Sequence, residues 1–370
     1  MKKAGNREII VSVTNDLVSD NRVHKACTSL TRMGLDVLLV GRKLPLSIAI
    51  NREYSTRRMC LFFKKGPCFY AEYNFRLFLL LLFAKCDILL SNDLDSLTAN
   101  YLASKIRNKP LVYDSHEYFT EVPELAGRPK IKKIWEWLES KMLPKIKYAY
   151  TVCDSIANDY NEKYGTGFRV VRNLPFAQKS VPEKKEKSVK TILYQGAVNV
   201  SRGLEQAILA MHQVKNAKLV IAGDGDLKTD LEKMVRQENL ENKVEFTGRL
   251  PLEQLAVLTA QADLGLSIEE DRGLNYRYAL PNKLFDYIQS QVPVLVTDLP
   301  EMKAIVENYK VGGITPSLNP GDLAEKLTEC LTNQEKRTLW KANLKTAAKE
   351  LVWENEEKVL QEIFTPLLGN

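Results

Sequence analysis

Glycines and cations gather in the second half of this chain in a way that suits an anion. They are Gly196, Arg202 six residues later, Gly223-Asp224-Gly225, and the run Leu280-Pro281-Asn282-Lys283. Glycine lets the backbone approach a phosphate closely, and a helix N-terminus adds free N–H groups and a positive dipole end. Pro281 and Asn282 suit a helix start. Lys283, in that first turn, opposes the helix dipole unless an anion binds beside it. Plainer readings stand beside these: Gly223 to Gly225 also fits a tight turn, and Arg202 also suits a solvated surface. Their joint placement at strand ends of one half favours the anion.

In the first half the proton chemistry centres on Asp114-Ser115-His116-Glu117. Flanking carboxylates would fix the imidazole tautomer and raise its pKa. His24 and His212 fall within helical patterns and read as structural. The loop from Asn15 and Asp16 to Asp20 and Arg22 lacks GxGxxG, which counts against a nicotinamide or flavin cofactor. Asp20 reads equally as a helix cap or a site residue, and Arg22 in the first helical turn fits an anion. Asp93-Leu94-Asp95 has a DxD form, but Asp93 reads better as a helix N-cap, and no metal site is expected.

These residues need elements to hold them. The run Ile9 to Val13 predicts a buried parallel strand, Val23 to Leu30 a helix stopping near Gly34, and Asp36 to Val40 a second strand. Alternation continues through strands at 87–91, 109–114, 148–152 and 169–171, with helices at 93–105 and 154–163. Residues 178–190 are polar and charged and read as a linker. The pattern restarts with strands at 191–196, 217–223, 244–246, 264–267 and 292–297, separated by helices, and ends in helices alone. The expected fold class is α/β, with two doubly wound Rossmann-like parallel sheets facing across a cleft at the carboxyl ends of their strands.

Bulk properties narrow the class. The chain has 370 residues, 45% hydrophobic and 27% charged, as soluble globular proteins do. Its longest apolar run, Leu77 to Ala84, falls far short of the roughly 20 residues that span a bilayer and predicts a buried or surface-lying helix. The N-terminus has no signal-peptide pattern, so a cytoplasmic protein is expected. The six cysteines form no CxxC pair and read as free thiols. Residues 1–172 carry 28 Lys and Arg against 18 Asp and Glu, while the whole chain is +7. A basic first half suggests an anionic partner: a phosphorylated lipid, a membrane surface or nucleic acid. The segment 128–147 mixes basic residues with Trp135 and Trp137. It reads either as a helix on an anionic membrane or as a core-packed helix with a solvated face.

Taken together, Asp114 to Glu117, GAVNVSRG at 196–203, Ile221 to Gly225, Phe246 to Arg249, LPNKLFDY at 280–287 and Val292 to Val294 resemble the retaining GT-B glycosyltransferases of family 4 over nearly the whole chain. The resemblance implies domains at 1–177 and 191–350, with a C-terminal helix at 351–370 crossing back to the first. It implies a UDP- or GDP-type sugar donor bound by the second domain without metal or cofactor. The donor set would be Gly196, Arg202, Gly223, Gly225, Arg249, Tyr278, Pro281, Asn282, Lys283 and Asp286. Relatives place an Arg and a Lys on the diphosphate; Ala197 and Arg202 hold those positions here, so Lys283 or Arg249 is expected to supply the second charge. Tyr278 and Asp286 hold the positions of an E-x7-E pair, with Asp286 on the ribose. His116 matches a histidine that bonds the donor sugar. Asn15, Asp16, Asp20, Arg22 and Glu117 would face a saccharide or lipid-linked acceptor.

The implied reaction retains the anomeric configuration through an oxocarbenium-like transition state, with Arg202 and Lys283 stabilising the departing diphosphate. Bacterial polysaccharide or glycolipid synthesis is the implied setting, with peripheral contact to an anionic membrane. Two alternatives stay open. A sugar-nucleotide epimerase or hydrolase on this scaffold would consume donor without acceptor. A non-enzymatic nucleic-acid binder would need a recognised basic motif, and the sequence has none, so nucleic acid is not expected as a partner.

Overall fold

A computed structural model describes residues 7–368 apart from 19, 46, 126, 179–181, 183 and 185–187. The linker expected over 178–190 lies mostly outside the described residues. The chain forms two units, one of residues 1–173 with 356–370 and the other of residues 174–355.

The strands are β1 (Glu8–Ser12), β2 (Asp36–Arg42), β3 (Ser55–Met59), β4 (Ile88–Asn92), β5 (Leu111–Ser115), β6 (Tyr148–Thr151), β7 (Arg169–Val170), β8 (Lys190–Gln195), β9 (Ala217–Ala222), β10 (Val244–Phe246), β11 (Leu264–Ser267), β12 (Val294–Thr297) and β13 (Gly312–Thr315). The helices are α1 (Asn21–Arg32), α2 (Gly66–Phe83), α3 (Asp93–Arg107), α4 (Pro129–Met142), α5 (Asp154–Tyr164), α6 (Leu204–Ala210), α7 (Lys228–Gln237), α8 (Leu252–Ala260), α9 (Leu274–Arg277), α10 (Asn282–Gln289), α11 (Pro300–Tyr309), α12 (Pro320–Thr332), α13 (Gln334–Glu350) and α14 (Trp353–Leu368).

The first unit's sheet runs β3-β2-β1-β4-β5-β6-β7 and the second's β10-β9-β8-β11-β12-β13. The pairings in both are parallel. Strand order reverses between β1 and β4 and again between β8 and β11. Such switch points open a crevice at the strands' carboxyl ends where ligands of α/β sheets bind. Both faces of the central strands are covered. In the second unit Ile192, Tyr194 and Leu266 pack with Ala207, Ile208 and Leu327 on one side, while Leu193, Val294 and Val296 pack with Phe285, Ile288 and Leu344 on the other. That two-sided burial explains why these strands read as continuous apolar runs.

The structure adds elements that periodicity did not predict. β3 has the sequence STRRM and exposes Ser55, Thr56 and Arg57. It is an edge strand, and edges carry charge rather than alternation. β13 is the opposite edge of the other sheet, within a stretch expected to be helical throughout. The apolar run at 77–84 ends the long helix α2, which starts at Gly66.

Candidate functional site

In the second unit the loop after β8 is built by backbone closeness. The Gly196 N–H donates to Ala222 O (3.0 Å), Val198 N–H to Asp224 O (3.0 Å) and Leu227 N–H to Val198 O (3.0 Å). A Cβ at Gly223 would fall on the Gly196 carbonyl oxygen, and one at Gly225 on Val198 O and the Asn199 side chain. The two glycines are thus required where one loop lies on another, which is the tight-turn reading of that motif. Gly223→Ala is expected to cost about 1–3 kcal/mol through overpacking, read as an earlier midpoint in urea unfolding.

The same loop then aims Arg202. Ser201 and Gly203 both have φ of +67°, and the Glu270 N–H donates to Ser201 O (3.1 Å). These bonds lay the loop along the segment that follows β11, where the Arg202 guanidinium stands 3.5 Å from Glu269 Oε1. Lys283 Nζ reaches the same oxygen at 2.7 Å and lies 4.1 Å from the Tyr194 ring centroid. Glu269 is fully buried and Lys283 only 8% exposed, while Arg202 is 28% exposed. Ser267 Oγ donates to Glu269 Oε2 at 3.0 Å. Burial pushes the Glu269 pKa up, but Lys283 and Arg202 outweigh it and hold the carboxyl below its usual range. Two cations therefore share one carboxylate at the β8/β11 switch point. The Arg202 Nε is buried without a hydrogen-bond partner among the described residues.

Helix α10 is fixed there by Tyr287, whose hydroxyl accepts from the Gln195 N–H (3.0 Å) and donates to Leu193 O (3.0 Å). Its ring occupies the space that Gly265 leaves on β11. Pro281 precedes the helix as its N-cap, Asn282 is exposed in its first turn, and Asp286 accepts from Gln195 Nε2 at 2.9 Å. Lys283, and not Arg249, meets the carboxylate that Arg202 faces. Arg249 is exposed beyond the outer strand β10, and Tyr278 is half-buried at the end of α9.

In the first unit His116 follows β5 beside the end of β4. Its Nδ1 is 3.3 Å from Asp93 Oδ2, its Nε2 3.1 Å from Asp114 Oδ2 and 3.2 Å from Asn92 Oδ1, and its backbone N–H donates to Asp93 Oδ1 (2.8 Å). Burial alone lowers an imidazole pKa; Asp93 and Asp114 overcome it and raise His116 to about 10. Asp114 and Asn92 on Nε2 and Asp93 beside Nδ1 thus favour the charged ring. Burial pushes the Asp93 carboxyl up to about 8 although His116 opposes that, so the two groups titrate as a pair.

Two expectations change here, and one open reading gains its contact. Asp93 does not cap α3; the N-cap is Asn92, and the Asp93 carboxylate serves His116. Asp93 also has φ of +57°, a conformation costing about 1–3 kcal/mol that persists where surrounding structure enforces it. Arg22 does not wait for an external anion. It is buried and binds Asp114 through Nε (3.1 Å) and Nη2 (2.7 Å), with Nη1 on Val171 O. Asp20 accepts from the Val23 N–H at 3.1 Å and so caps α1. Of the remaining acceptor-side residues, Asp16 pairs with Arg58 (2.8 Å), and Asn15 and Glu117 are exposed.

Glu269 was not singled out from sequence, although it stands just past a strand's carboxyl end, the rule that found the others.

Comparison with known proteins agrees with this architecture. Residues 20–174 match the family model described as Glycosyltransferase Family 4, and residues 176–347 match that of Glycosyl transferases group 1. The chain is 20% identical over 259 residues to alpha-D-kanosaminyltransferase of Streptomyces kanamyceticus, covering 64% of this chain and 65% of that protein. It therefore spans slightly under two thirds of that relative's length. Among solved structures it is similar to sucrose-phosphate synthase from Thermosynechococcus elongatus, with TM-score 0.81, 16% identity and coverage of 98% of this chain and 99% of that one. HepE of Anabaena in complex with UDP-glucose gives TM-score 0.74 at 14% identity, covering 97% of this chain and 99% of that one. Two glycosyltransferase family models thus match the two Rossmann-like parallel-sheet units one after the other, and the chain has the GT-B glycosyltransferase fold.

Proposed function

We propose that this protein transfers a sugar, with retention and without a metal, from a UDP- or GDP-type donor to a saccharide or lipid-linked acceptor in polysaccharide or glycolipid synthesis. The carrying observation is the pair of cations on one buried carboxylate at the second unit's switch point. A diphosphate that leaves from the anomeric carbon gains negative charge, and cations held in a partly buried site stabilise it most at that moment. Glu269 holds Arg202 and Lys283 in place beforehand, so neither must reorganise as the bond breaks. The kanosaminyltransferase similarity and the UDP-glucose complex of HepE support a nucleotide-sugar donor.

Asp286 is proposed to take the ribose hydroxyls. Gln195, tied in turn to Thr259 Oγ1 (2.7 Å), fixes its carboxylate. Asp286→Ala is expected to weaken UDP or GDP binding about tenfold, as loss of a charge-assisted hydrogen bond does, while inorganic pyrophosphate binds as before. Calorimetric titration of both ligands checks this, and equal loss for pyrophosphate would move Asp286 to the phosphates.

In the first unit, His116 bonds the donor sugar only if one ring N–H exchanges its carboxylate for a sugar hydroxyl. Asp93 stays beside it to accept a second bond. An assay of nucleotide release with and without acceptor separates transfer from hydrolysis: transfer requires the acceptor, whereas an epimerase or hydrolase consumes donor alone.

A further inference from the structure

A helix that is apolar on all sides is ordinarily buried on all sides. α2, with the sequence GPCFYAEYNFRLFLLLLF, is not. It buries Phe69, Tyr73, Leu77 and Leu81 and presents Phe75, Leu79 and Phe83 outward. Phe83 is 85% exposed, and Phe62, in the loop that leads into α2, is 84% exposed. Arg76 joins the loop to the helix: its guanidinium lies 5.0 Å from the Phe62 ring centroid and donates to Cys60 O at 3.1 Å. A shallow groove of about 680 Å³ continues from α2 to the edge strand β3, where Arg57 lines it.

The charge around these rings is basic. Arg57, Lys64 and Lys65 are exposed, and residues 1–172 carry ten more cations than anions. The one acidic side chain of α2, Glu72, is spent on the Phe62 and Phe63 N–H groups of that loop (2.9 Å each) and on Arg76 (2.8 Å). Exposed phenyl rings ringed by cations complement a surface that is apolar beneath and anionic above.

We propose that this face of the first unit docks on an anionic lipid surface, with Phe62, Phe75 and Phe83 entering the headgroup–acyl boundary and Arg57, Lys64 and Lys65 meeting lipid phosphates. The contact is peripheral; among the described residues no helix is long and apolar enough to cross a membrane. α4, the basic helix singled out from sequence, is the lesser candidate. Its Trp135 is buried against Tyr70 and Phe119, and Lys132 is paired with Glu121, which leaves Ile134 and Trp137 as its exposed large apolar groups. The proposal does not rest on the donor chemistry, and its test needs no activity.

The full chain is sedimented with vesicles of phosphatidylcholine, with and without phosphatidylglycerol, at low salt. A polarity-sensitive dye on the exposed Cys60 and Cys68 reports insertion. The expected result is binding that requires phosphatidylglycerol, a blue shift of the dye, and about tenfold or greater weakening in Phe62→Ser/Phe83→Ser, since each ring buries apolar area in the boundary. Ile134→Ser/Trp137→Ser is expected to bind like the wild type. Both pairs are exposed, and an unchanged melting temperature checks that the fold persists; Phe62→Ser alone serves if the double variant melts early. Wild type that stays in the supernatant overturns the proposal, as does an unaffected Phe variant or loss confined to the α4 variant. A protein dimer that the Phe variant abolishes, with no vesicle binding, also overturns it and identifies a second copy as the occupant.

Discussion

Lys283→Met lowers affinity for UDP or GDP about tenfold to a hundredfold, the scale of one charge-assisted contact to phosphate, and destabilises the second unit in the same step. Lys283 is 8% exposed and sits 2.7 Å from a Glu269 carboxylate that has no exposure. Removing it leaves a buried charge faced by Arg202 at 3.5 Å alone. Breaking a buried pair by deleting one partner costs about 3–5 kcal/mol, most of it the desolvation of the charge left behind. The second substitution separates the two effects. Glu269→Gln added to Lys283→Met removes the stranded charge, so urea unfolding returns toward the wild-type midpoint. Calorimetry shows no such return, because the donor site still lacks one of its two cations. Recovery of both would reduce Lys283 to a counterion for Glu269 and remove it from donor binding.

Replacement of His116 by alanine leaves a folded protein whose turnover falls about a hundredfold or more, the cost of losing one preorganised donor at a reacting centre. The reason lies in the charge order of the site. Arg22 is bidentate on Asp114, and the His116 ring stands between the carboxyls of Asp114 and Asp93. Without the ring, the Asp93 carboxyl, already pushed up to about 8, loses the cation that opposes that shift and is held protonated more firmly. The same order fixes a pH dependence. The His116 pKa is raised from 6.5 to about 10. A raised pKa means that the charged ring's contribution through Asp114 is present below about pH 6.5 and is lost as pH climbs through about 10, while Asp93, pushed up to about 8, takes up its own proton as pH falls through that value. His116→Asn should lack that component of the alkaline fall. Nitrogen-15 NMR at pH 7.5 tests the assignment: both ring nitrogens should show protonated shifts, and a neutral tautomer would contradict it.

The sequence made the strands and the strand-end chemistry legible for one physical reason. In a doubly wound sheet, central strands are apolar on both faces, and the residues just beyond them face the ligand side. His116, Arg202 and Lys283 are found that way, whereas Asp286 is reached only through the resemblance to the family. The edge strands β3 (STRRM) and β13 (GGIT) lack that apolar run and go unseen, although the other two edges, β7 and β10, are legible. Glu269 was hidden for a related reason: its partners lie 67 residues before it and 14 after it in sequence, and no local spacing announces a carboxylate shared by cations so far apart. Asp93 was misread because an aspartate before a helix is ordinarily a cap, whereas here its left-handed backbone turns the carboxylate to His116 instead. Gly223 and Gly225 were recognised as significant, but their space is taken by the neighbouring loop. Arg22 was read as a cation awaiting an anion, and Asp114 supplies that anion from within the fold.

The proposed transfer requires the second unit to hold a nucleoside diphosphate on Arg202 and Lys283. A thermal-shift titration of the full chain with UDP, GDP and their sugars, in the presence of a chelator, tests it most directly, because a ligand that binds only the native state raises its melting temperature. The expected result is a rise with at least one of the two nucleotide series, retained in chelator and lost in Arg202→Ala. No rise with any of them, or an undiminished rise in Arg202→Ala and Lys283→Met alike, would contradict it.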